Sequence, residues 1–229
     1  MSELAENVKG NLDVLRGRVA AAAARSGRSG ADITIVVVSK NRTADEIRAA
    51  LAAGVRDIGE NRVQEAERKR PGLPENFTFR MIGHLQRNKA ADAVRIFDAV
   101  DSVDSLRLGA RLSEELLRAG KTMPALVQVN SSGEETKSGF EPDRLEDAVA
   151  ELRELPGLEL RGLMTIGPLT DDEDAVRRAF RETRFLFEKI KTGIPGFDAL
   201  SMGMSDDFEI AIEEGSNMVR IGRAVFEGR

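Results

Sequence analysis

Hydrophobic residues at the start of the chain recur at the spacing of a helix. From Leu4 to Val19 they are separated by four, four, three and four positions, which places them on one helical face. The pattern predicts a first helix that ends near Ser26 and Gly27, within a leading segment of residues 1–27. Because one face of this helix is apolar, we expect it to pack on the rest of the fold.

A continuous β-branched run over residues 33–38 follows the helix. A half-exposed strand alternates apolar and polar residues, whereas a parallel strand covered on both faces reads as an unbroken apolar run. The run therefore predicts a buried parallel strand. Lys40 lies just past its end.

From this strand onward, strand-like runs alternate with helical patterns in short, regular periods. Thr43 opens a T-x-x-E capping box with Glu46, and Gly54 and Gly120 are suitable helix stops. The predicted strands are 33–38, 55–58, 77–82, 97–101, 124–130, 158–164, 197–201 and 217–221. The predicted helices that follow them are 43–53, 60–70, 86–95, 104–119, 142–154, 171–191, 205–214 and one last short helix.

Eight strands that alternate with helices in 229 residues fit an α/β fold, a single (β/α)8 TIM-type barrel with an extra N-terminal helix. A doubly wound open sheet is the alternative, because both folds bury parallel strands under helices and differ only in closure. We favour the barrel. No linker or close repeat divides the chain, so we expect one domain over residues 1–229.

Composition and charge narrow the function classes. The chain has no cysteine, which excludes disulfides, thiolate metal sites and a cysteine nucleophile, and we expect no metal site. A net charge of -5 and a pI of about 5.2 argue against a nucleic-acid partner, which requires a basic surface. The acidic N-terminus and the lack of a run of roughly 20 apolar residues indicate no targeting or membrane segment, so the expected location is the cytoplasm.

Polar turns follow the first, seventh and eighth predicted strands, where the working residues of such barrels gather. They read Ser39-Lys40-Asn41-Arg42, Ser201-Met-Gly-Met-Ser205 and Arg220-Ile-Gly222-Arg223. The last two turns combine a glycine with a helix start, where free backbone amides attract a phosphate. In a closed barrel the first strand lies beside the eighth, so the Lys40 amine can reach the same ligand.

A lysine beside a phosphate site indicates chemistry with an aldehyde. An amine that is partly desolvated at a strand end holds its proton less firmly and attacks a carbonyl carbon more readily. These residues predict a phosphorylated carbonyl compound or pyridoxal 5'-phosphate (PLP) as the ligand. A phosphate-binding barrel that uses Lys40 without PLP, as an aldolase or scaffold, is an open alternative.

Seven short motifs then carry a resemblance to a known family. In chain order they are Val38-Ser-Lys40, Gly59-Glu-Asn-Arg-Val-Gln64, Gly83-His-Leu-Gln-x-Asn-Lys89, Lys137-x-Gly139, Gly162-Leu-Met-Thr165, Ser201-Met-Gly-Met-Ser205 and Val219-Arg-Ile-Gly222. Over nearly the whole chain, this series resembles the pyridoxal phosphate homeostasis protein family, also called the YggS or PROSC family.

The resemblance implies a PLP barrel of fold-type III, similar to the N-terminal domain of alanine racemase. It makes Lys40 the lysine that holds PLP as a covalent imine, or Schiff base. It places Arg220 near the pyridine nitrogen and Asn61 beside the ring. The residues that it places at the phosphate are Ser201, Ser205, Gly222 and Arg223, the last two through backbone N–H groups.

The implied role is PLP homeostasis without catalytic turnover: a monomer that binds, buffers and delivers PLP to apo forms of PLP-dependent enzymes. The alternative is a PLP-dependent racemase or lyase that acts on small amino acids. Alanine racemase needs a second domain and a tyrosine base, whereas this sequence contains no tyrosine. A cationic Arg220 beside the ring nitrogen would also keep that nitrogen unprotonated and weaken the ring as an electron sink.

Two positions depart from the family pattern, and two further residues each have two alternative roles. Arg80 stands where the family has a histidine, and Asn217 stands where it has a threonine. His84 is the sole histidine, and a hydrogen-bonded structural role is favoured over acid–base chemistry. Lys137 is either a second amine that accepts PLP in transit or an ordinary loop lysine, which is favoured.

Overall fold

The computed structural model describes residues 2–131 and 138–228. Its eight parallel strands close into a barrel in chain order, and β8 pairs with β1. The strands are β1 Thr34–Val38, β2 Asp57–Glu60, β3 Thr78–Met81, β4 Ala99–Val103, β5 Met123–Val129, β6 Leu158–Thr165, β7 Ala199–Ser201 and β8 Met218–Ile221. The predicted barrel is therefore confirmed over the open sheet.

Helices alternate with these strands, as the sequence predicts. They are α1 Glu3–Arg25, α2 Ala44–Ala52, α3 Val63–Lys69, α4 Ala90–Ile96, α5 Leu106–Ala119, α6 Leu145–Arg153, α7 Glu173–Lys191, α8 Phe208–Glu213 and α9 Arg223–Phe226. The capping box of Thr43 and Glu46 forms, and Gly120 ends α5 in the left-handed conformation at φ 62°. Among the described residues, no helix is long and apolar enough to cross a membrane.

Several predicted boundaries are displaced, and local backbone geometry accounts for two of them. Helix α3 starts at Val63 rather than residue 60, because Glu60 still belongs to β2 and Arg62 is extended. Helix α8 starts at Phe208 rather than residue 205, because the amide of Met204 donates to the side chain of Asp207 and closes a turn there. Strand β7 is two residues shorter than its prediction at its start.

Helix α1 packs its apolar face against α2, α8 and α9. Four of the five residues that define the predicted face are buried, from Val8 to Val19, whereas Leu4 is exposed in the first turn. The helix therefore covers the outside of the barrel next to the strands where it closes, β8 and β1.

Two apolar clusters build the core. The larger one fills the layer between strands and helices, and the smaller one contains Val36, Ile82, Leu126, Met164 and Met218. Because side chains two positions apart on a strand share a face, Arg80 lies on the face of Ile82, and Arg220 lies on the face of Met218. The barrel interior thus combines a small apolar cluster with buried charge.

Strands β7 and β8 share a single register pair, Ser201 with Met218. Backbone hydrogen bonds from Asn217 to Leu200 (3.1 Å) and from Met202 to Met218 (3.1 Å) accompany this pair, and side chains add further hydrogen bonds. The Asn217 side chain accepts a hydrogen bond from the amide of Leu200 (2.7 Å) and donates one to the carbonyl oxygen of Asp198 (2.6 Å). Asn217, which departs from the family pattern, therefore joins the two strands at the end of β8 that is remote from Gly222.

Candidate functional site

A cavity of about 560 Å³ opens at the carboxyl ends of β1 and β8. Its size is typical of a small-molecule site. Six of the seven sequence-predicted site residues line it: Lys40, Asn61, Ser205, Arg220, Gly222 and Arg223. The seventh, Ser201, is fully buried and is not among the described residues of this wall.

The turn after β1 presents Lys40 to this cavity. Lys40 is an exposed residue at this turn, and partial desolvation of its amine stays a prediction. Asn41 follows it with φ 60°, a left-handed conformation that asparagine tolerates better than most residues. The amide of Asn41 donates to Glu65 Oε2 (3.2 Å), which fixes the turn from the side of α3.

A buried ion cluster lies beneath the same turn. Lys69 Nζ donates to the carbonyl oxygen of Ser39 (2.8 Å), to Glu60 Oε2 (2.6 Å) and to Glu65 Oε2 (3.1 Å). The Glu60 side chain is completely buried, and its Oε1 accepts from the amide of Asn61 (2.7 Å). Glu60, Glu65 and Lys69 therefore fix the backbone of two neighbouring turns, those of Lys40 and Asn61.

Sequence reasoning missed this ion cluster. The spacing of Glu65 and Lys69, four positions apart within a predicted helix, is a signal for an ion pair, but it is typical of exposed helix surfaces. Nothing in the sequence pattern shows that Glu60 lies under both residues. The contact with Ser39 spans 30 positions and depends on the pairing of β1 with β2, the strand that precedes α3.

The opposite wall is built by the turns after β7 and β8. Gly203 has φ +93°, and a Cβ at this position would lie 2.6 Å from the Cβ of Ala211. Its carbonyl oxygen accepts from the amide of Arg220 (3.0 Å), which holds the two turns together. Glycine is required here because any side chain would push α8 away from the cavity.

The first turn of α9 faces the same space. Its N-cap residue is Gly222, which provides no side-chain cap for the N–H groups that follow. The side chain of Arg223 is paired with Asp206, so Arg223 offers the cavity its backbone more than its guanidinium. This geometry fits the predicted backbone role of Gly222 and Arg223.

Arg220 forms the charged floor of the cavity and is only 4% exposed. Its Nη1 donates to the carbonyl oxygen (3.0 Å) and hydroxyl (2.7 Å) of Ser201, and its Nη2 donates to the carbonyl oxygen of Thr165 (2.8 Å). Burial lowers the pKa of Arg220 to about 10, against the opposing charges of Asp101 and Asp207. Ser201 is thus a direct partner of Arg220 beneath the cavity.

Positive charge exceeds negative charge on the cavity wall. Arg42 is paired with Glu46 and Glu227 and lies over the ring of Phe226, with 5.0 Å from its guanidinium carbon to the ring centroid. The charged residues of the wall are the cations Lys40, Arg42, Arg220 and Arg223 and the anions Asp206 and Glu227. In a chain with a net charge of -5, this excess favours a small anionic ligand.

Relatives of known sequence match the chain over nearly its whole length. Residues 10–229 match the family model described as alanine racemase, N-terminal domain. The chain is 41% identical over 232 positions to the Pyridoxal phosphate homeostasis protein of Pseudomonas aeruginosa, which covers 100% of this chain and 97% of that protein. The protein of the same name from Escherichia coli is 40% identical over 223 positions, 96% of this chain and 95% of that protein.

This chain belongs to the pyridoxal phosphate homeostasis protein family. A solved structure agrees in fold: PipY of Synechococcus elongatus, with PLP bound, has a TM-score of 0.83 to this chain and 32% identity, over 96% of this chain and 99% of that one. The family resemblance that the sequence motifs carry is confirmed.

The two departures from the family pattern have structural partners. Arg80 lies between two acidic side chains: its Nε donates to Asp57 Oδ1 (2.7 Å) and its Nη1 donates to Asp101 Oδ1 (3.2 Å). Asn217 joins β7 to β8, as described above. Neither residue lines the cavity that Lys40 faces, so the departures leave its described wall unchanged.

His84 lies outside the cavity wall as well. Its Nδ1 is 2.8 Å from Asp104 Oδ2 and 3.2 Å from Ser138 Oγ, and it lines a separate groove. These contacts agree with the favoured role as a hydrogen-bonded structural residue. Lys137 lies outside the described residues.

Proposed function

We propose that this chain binds PLP in the cavity at the barrel mouth, holds it as a reversible imine on Lys40, and delivers it to apo forms of PLP-dependent enzymes. The observation that carries the proposal is one shared wall: the exposed amine of Lys40, the guanidinium of Arg220 and the glycine turn at Gly222 all line the same cavity. The bound state of PipY of Synechococcus elongatus supports PLP as the ligand.

The anionic end of PLP fits the wall formed by the turns after β7 and β8. We assign the phosphate to the Ser205 hydroxyl and to the first N–H groups of α9 at Gly222 and Arg223, which lack a side-chain cap. Direct contact of Ser201 with the phosphate stays a prediction. The hydroxyl of Ser201 accepts from Arg220 and can still donate one hydrogen bond of its own.

We assign the aromatic ring to the space that Asn61 and Arg220 line, with Asn61 beside the ring and Arg220 near its nitrogen. PLP supplies an aldehyde that condenses with amines and a ring that can accept electrons. A cationic Arg220 at the ring nitrogen opposes protonation of that nitrogen, which weakens electron withdrawal and discourages carbanion chemistry. The sequence also provides no tyrosine as a base. We therefore propose storage and delivery without amino-acid turnover.

Capture and release follow from the chemistry of the Lys40 amine. Its Nζ forms a bond with the aldehyde carbon, and the aldehyde oxygen leaves as water. Hydrolysis returns both the amine and the aldehyde, and a second amine can replace Nζ by exchange. The solvent exposure of Lys40 gives water and a second amine access to this bond.

A PLP titration of the purified chain tests the binding proposal. We expect a visible absorbance band on addition of PLP and, after borohydride reduction, a PLP adduct on the Lys40 peptide. Lys40→Ala should lose both signals, while Lys9→Ala, at an exposed lysine of α1, should keep them. Absence of the band in the wild type would leave a barrel that uses Lys40 without PLP, and survival of the band in Lys40→Ala would mean that Lys40 does not hold PLP. Either result would overturn the proposal.

Three further measurements test the role and the oligomeric state. Loaded protein should transfer PLP to an apo-enzyme in the presence of a trap for free PLP. A panel of small amino acids should turn over no faster than with free PLP alone. Faster turnover would establish the racemase or lyase alternative instead. Light scattering, which measures the mass of the particle in solution, tests the expected monomer.

A further inference from the structure

A charged pair lies inside the barrel, and the proposed function does not use it. Arg80 on β3 donates to Asp101 on β4, and the Asp101 side chain is 1% exposed. The second acidic partner of Arg80 is Asp57 on β2. These three residues line no part of the cavity that Lys40 faces, and Arg80 and Asp101 border a separate space of about 520 Å³.

Only one of the two carboxylate oxygens of Asp101 takes part in the ion pair with Arg80. Its Oδ1 accepts from Arg80, while its Oδ2 has no hydrogen-bond partner within the described part of the chain. A buried acceptor without a partner is costly, so its retention requires an explanation. Burial raises the pKa of Asp101, and the charges of Arg80 and Arg220 act in the opposite direction.

Arg220 is the buried cation whose charge Asp101 can compensate. The hydrogen bonds of its guanidinium go to neutral oxygens of Ser201 and Thr165, and within residues 2–131 and 138–228 it forms no ion pair with a carboxylate. Asp101 and Arg220 both point into the barrel interior. Arg80 pairs in register with Ala99, two positions before Asp101, and Met218 of the smaller apolar cluster lies two positions before Arg220. The charges of Asp101 and Asp207 act to raise the pKa of Arg220, against the effect of burial. The Asp207 carboxylate already accepts from the amide of Met204 at 2.5 Å.

We propose that Asp101 is a positioning residue that sets the positive potential at the floor of the PLP cavity through Arg220, with Arg80 as its counterion. The inference rests on the proposed function and deepens it. Removal of the Asp101 charge leaves Arg220 less compensated, so the floor becomes more positive. A more positive floor favours bound anions and disfavours a proton on the ligand.

The pH titration of the Lys40 adduct, followed by its visible absorbance, measures this potential. In Asp101→Asn the midpoint should move to lower pH by about 0.5 to 1 unit relative to the wild type. Arg80→Gln leaves the Asp101 charge without its counterion, and the midpoint should move to higher pH. The opposite directions separate an electrostatic effect from a general loss of packing.

Asp57→Asn is the matched control. It removes the other acidic partner of Arg80 and leaves the charge of Asp101 in place. We expect its midpoint to stay within about 0.2 unit of the wild type. Equal shifts in Asp57→Asn and Asp101→Asn, or no shift in Asp101→Asn, would overturn the inference.

A failure of the proposed function can be distinguished from a failure of this inference. If the wild type forms no adduct on Lys40, that proposal falls, and the affinity of the cavity for inorganic phosphate, measured by calorimetry, then tests the inference alone. Asp101→Asn should bind phosphate about three- to tenfold more tightly than the wild type and Asp57→Asn. Unchanged phosphate affinity in Asp101→Asn would count against the inference.

Discussion

The ammonium group of Lys69 lies 2.8 Å from the carbonyl oxygen of Ser39, the residue that immediately precedes Lys40. The same ammonium group contacts the buried carboxylate of Glu60. The turn that carries the lysine proposed to bind PLP is therefore held by a second lysine, which is not among the described residues of the cavity wall.

Lys69→Met should weaken both the fold and the binding of PLP. Loss of the ammonium group leaves Glu60 as an uncompensated buried charge, which costs about 3 to 5 kcal/mol. We expect a matching fall in the free energy of unfolding in urea at pH 7, and a weaker PLP absorbance band at equal PLP concentration. Lys9→Met, which removes an exposed pair with Asp13, should cost at most about 1 kcal/mol. Equal effects of the two variants would contradict this assignment.

The sequence predicts the barrel and six of the residues that line the cavity. Parallel strands read as apolar runs, and their carboxyl ends meet on one side of a closed sheet. Lys40, Ser205 and Gly222, which follow three such strands, can therefore be assigned to one place from the sequence alone. The ion cluster of Glu60 and Lys69 is different. Its partners are fixed by packing between α3 and two strands, and no periodicity encodes that contact.

Glu65→Gln should change the acid side of the stability profile. Burial acts to raise the pKa of Glu65, but the hydrogen bonds from the amide of Asn41 and from Lys69 hold that pKa below its usual value of 4.5. The folded state therefore binds this proton more weakly than the unfolded state. The stability that Glu65 contributes is present above about pH 4.5 and is lost as the pH falls through the lower, folded-state pKa.

The measurement for Glu65 is urea unfolding between pH 7 and pH 3. At pH 7 the wild type should exceed Glu65→Gln by about 1 to 2 kcal/mol, because charge-assisted hydrogen bonds are lost in the variant. The difference should shrink as the pH falls below about 4.5. A difference that stays constant down to pH 3 would show that the ionised carboxylate is not the stabilising species.

Gly203→Ala should disrupt the side of the cavity that is proposed to hold the phosphate. The backbone has φ +93°, and the added Cβ would lie 2.6 Å from the Cβ of Ala211 and 2.8 Å from the Cα of Phe208. We expect a loss of about 3 kcal/mol in the free energy of unfolding, together with a lower PLP affinity. The control is Gly17→Ala within α1, where nothing lies within 4 Å and helix propensity should add about 1 kcal/mol. A neutral Gly203→Ala would mean that α8 can move away at no cost.

Arg80 and Ser201 illustrate what sequence comparison alone leaves undetermined. A charge in place of a histidine on a barrel strand suggests a disturbed interior, but the two acids that contact Arg80 come from β2 and β4 and neutralise it there. A serine in a phosphate-like turn suggests a ligand contact, but β7 turns the Ser201 side chain toward Arg220. In both cases the deciding partner is distant in sequence.

Asn217 should affect the stability of the barrel without affecting its ligand. Its amide group bridges Leu200 and Asp198 across the weakly paired β7 and β8, at the end of β8 opposite Gly222. Asn217→Ala removes both hydrogen bonds and should cost about 2 to 3 kcal/mol. Asn217→Thr keeps a single oxygen that can accept from Leu200 and should cost about 1 kcal/mol.

The PLP affinity of both Asn217 variants should stay within about twofold of the wild type, because a hydrogen bond at the far end of the strand changes no group on the cavity wall. Ser205→Ala, at the mouth, should give the reverse pattern: little change in urea unfolding and a weaker hold on PLP. If Asn217→Ala lowers PLP affinity as much as Ser205→Ala does, then strand pairing at the base of β8 controls the geometry of the glycine turn at its top, and the two ends of the barrel are not independent.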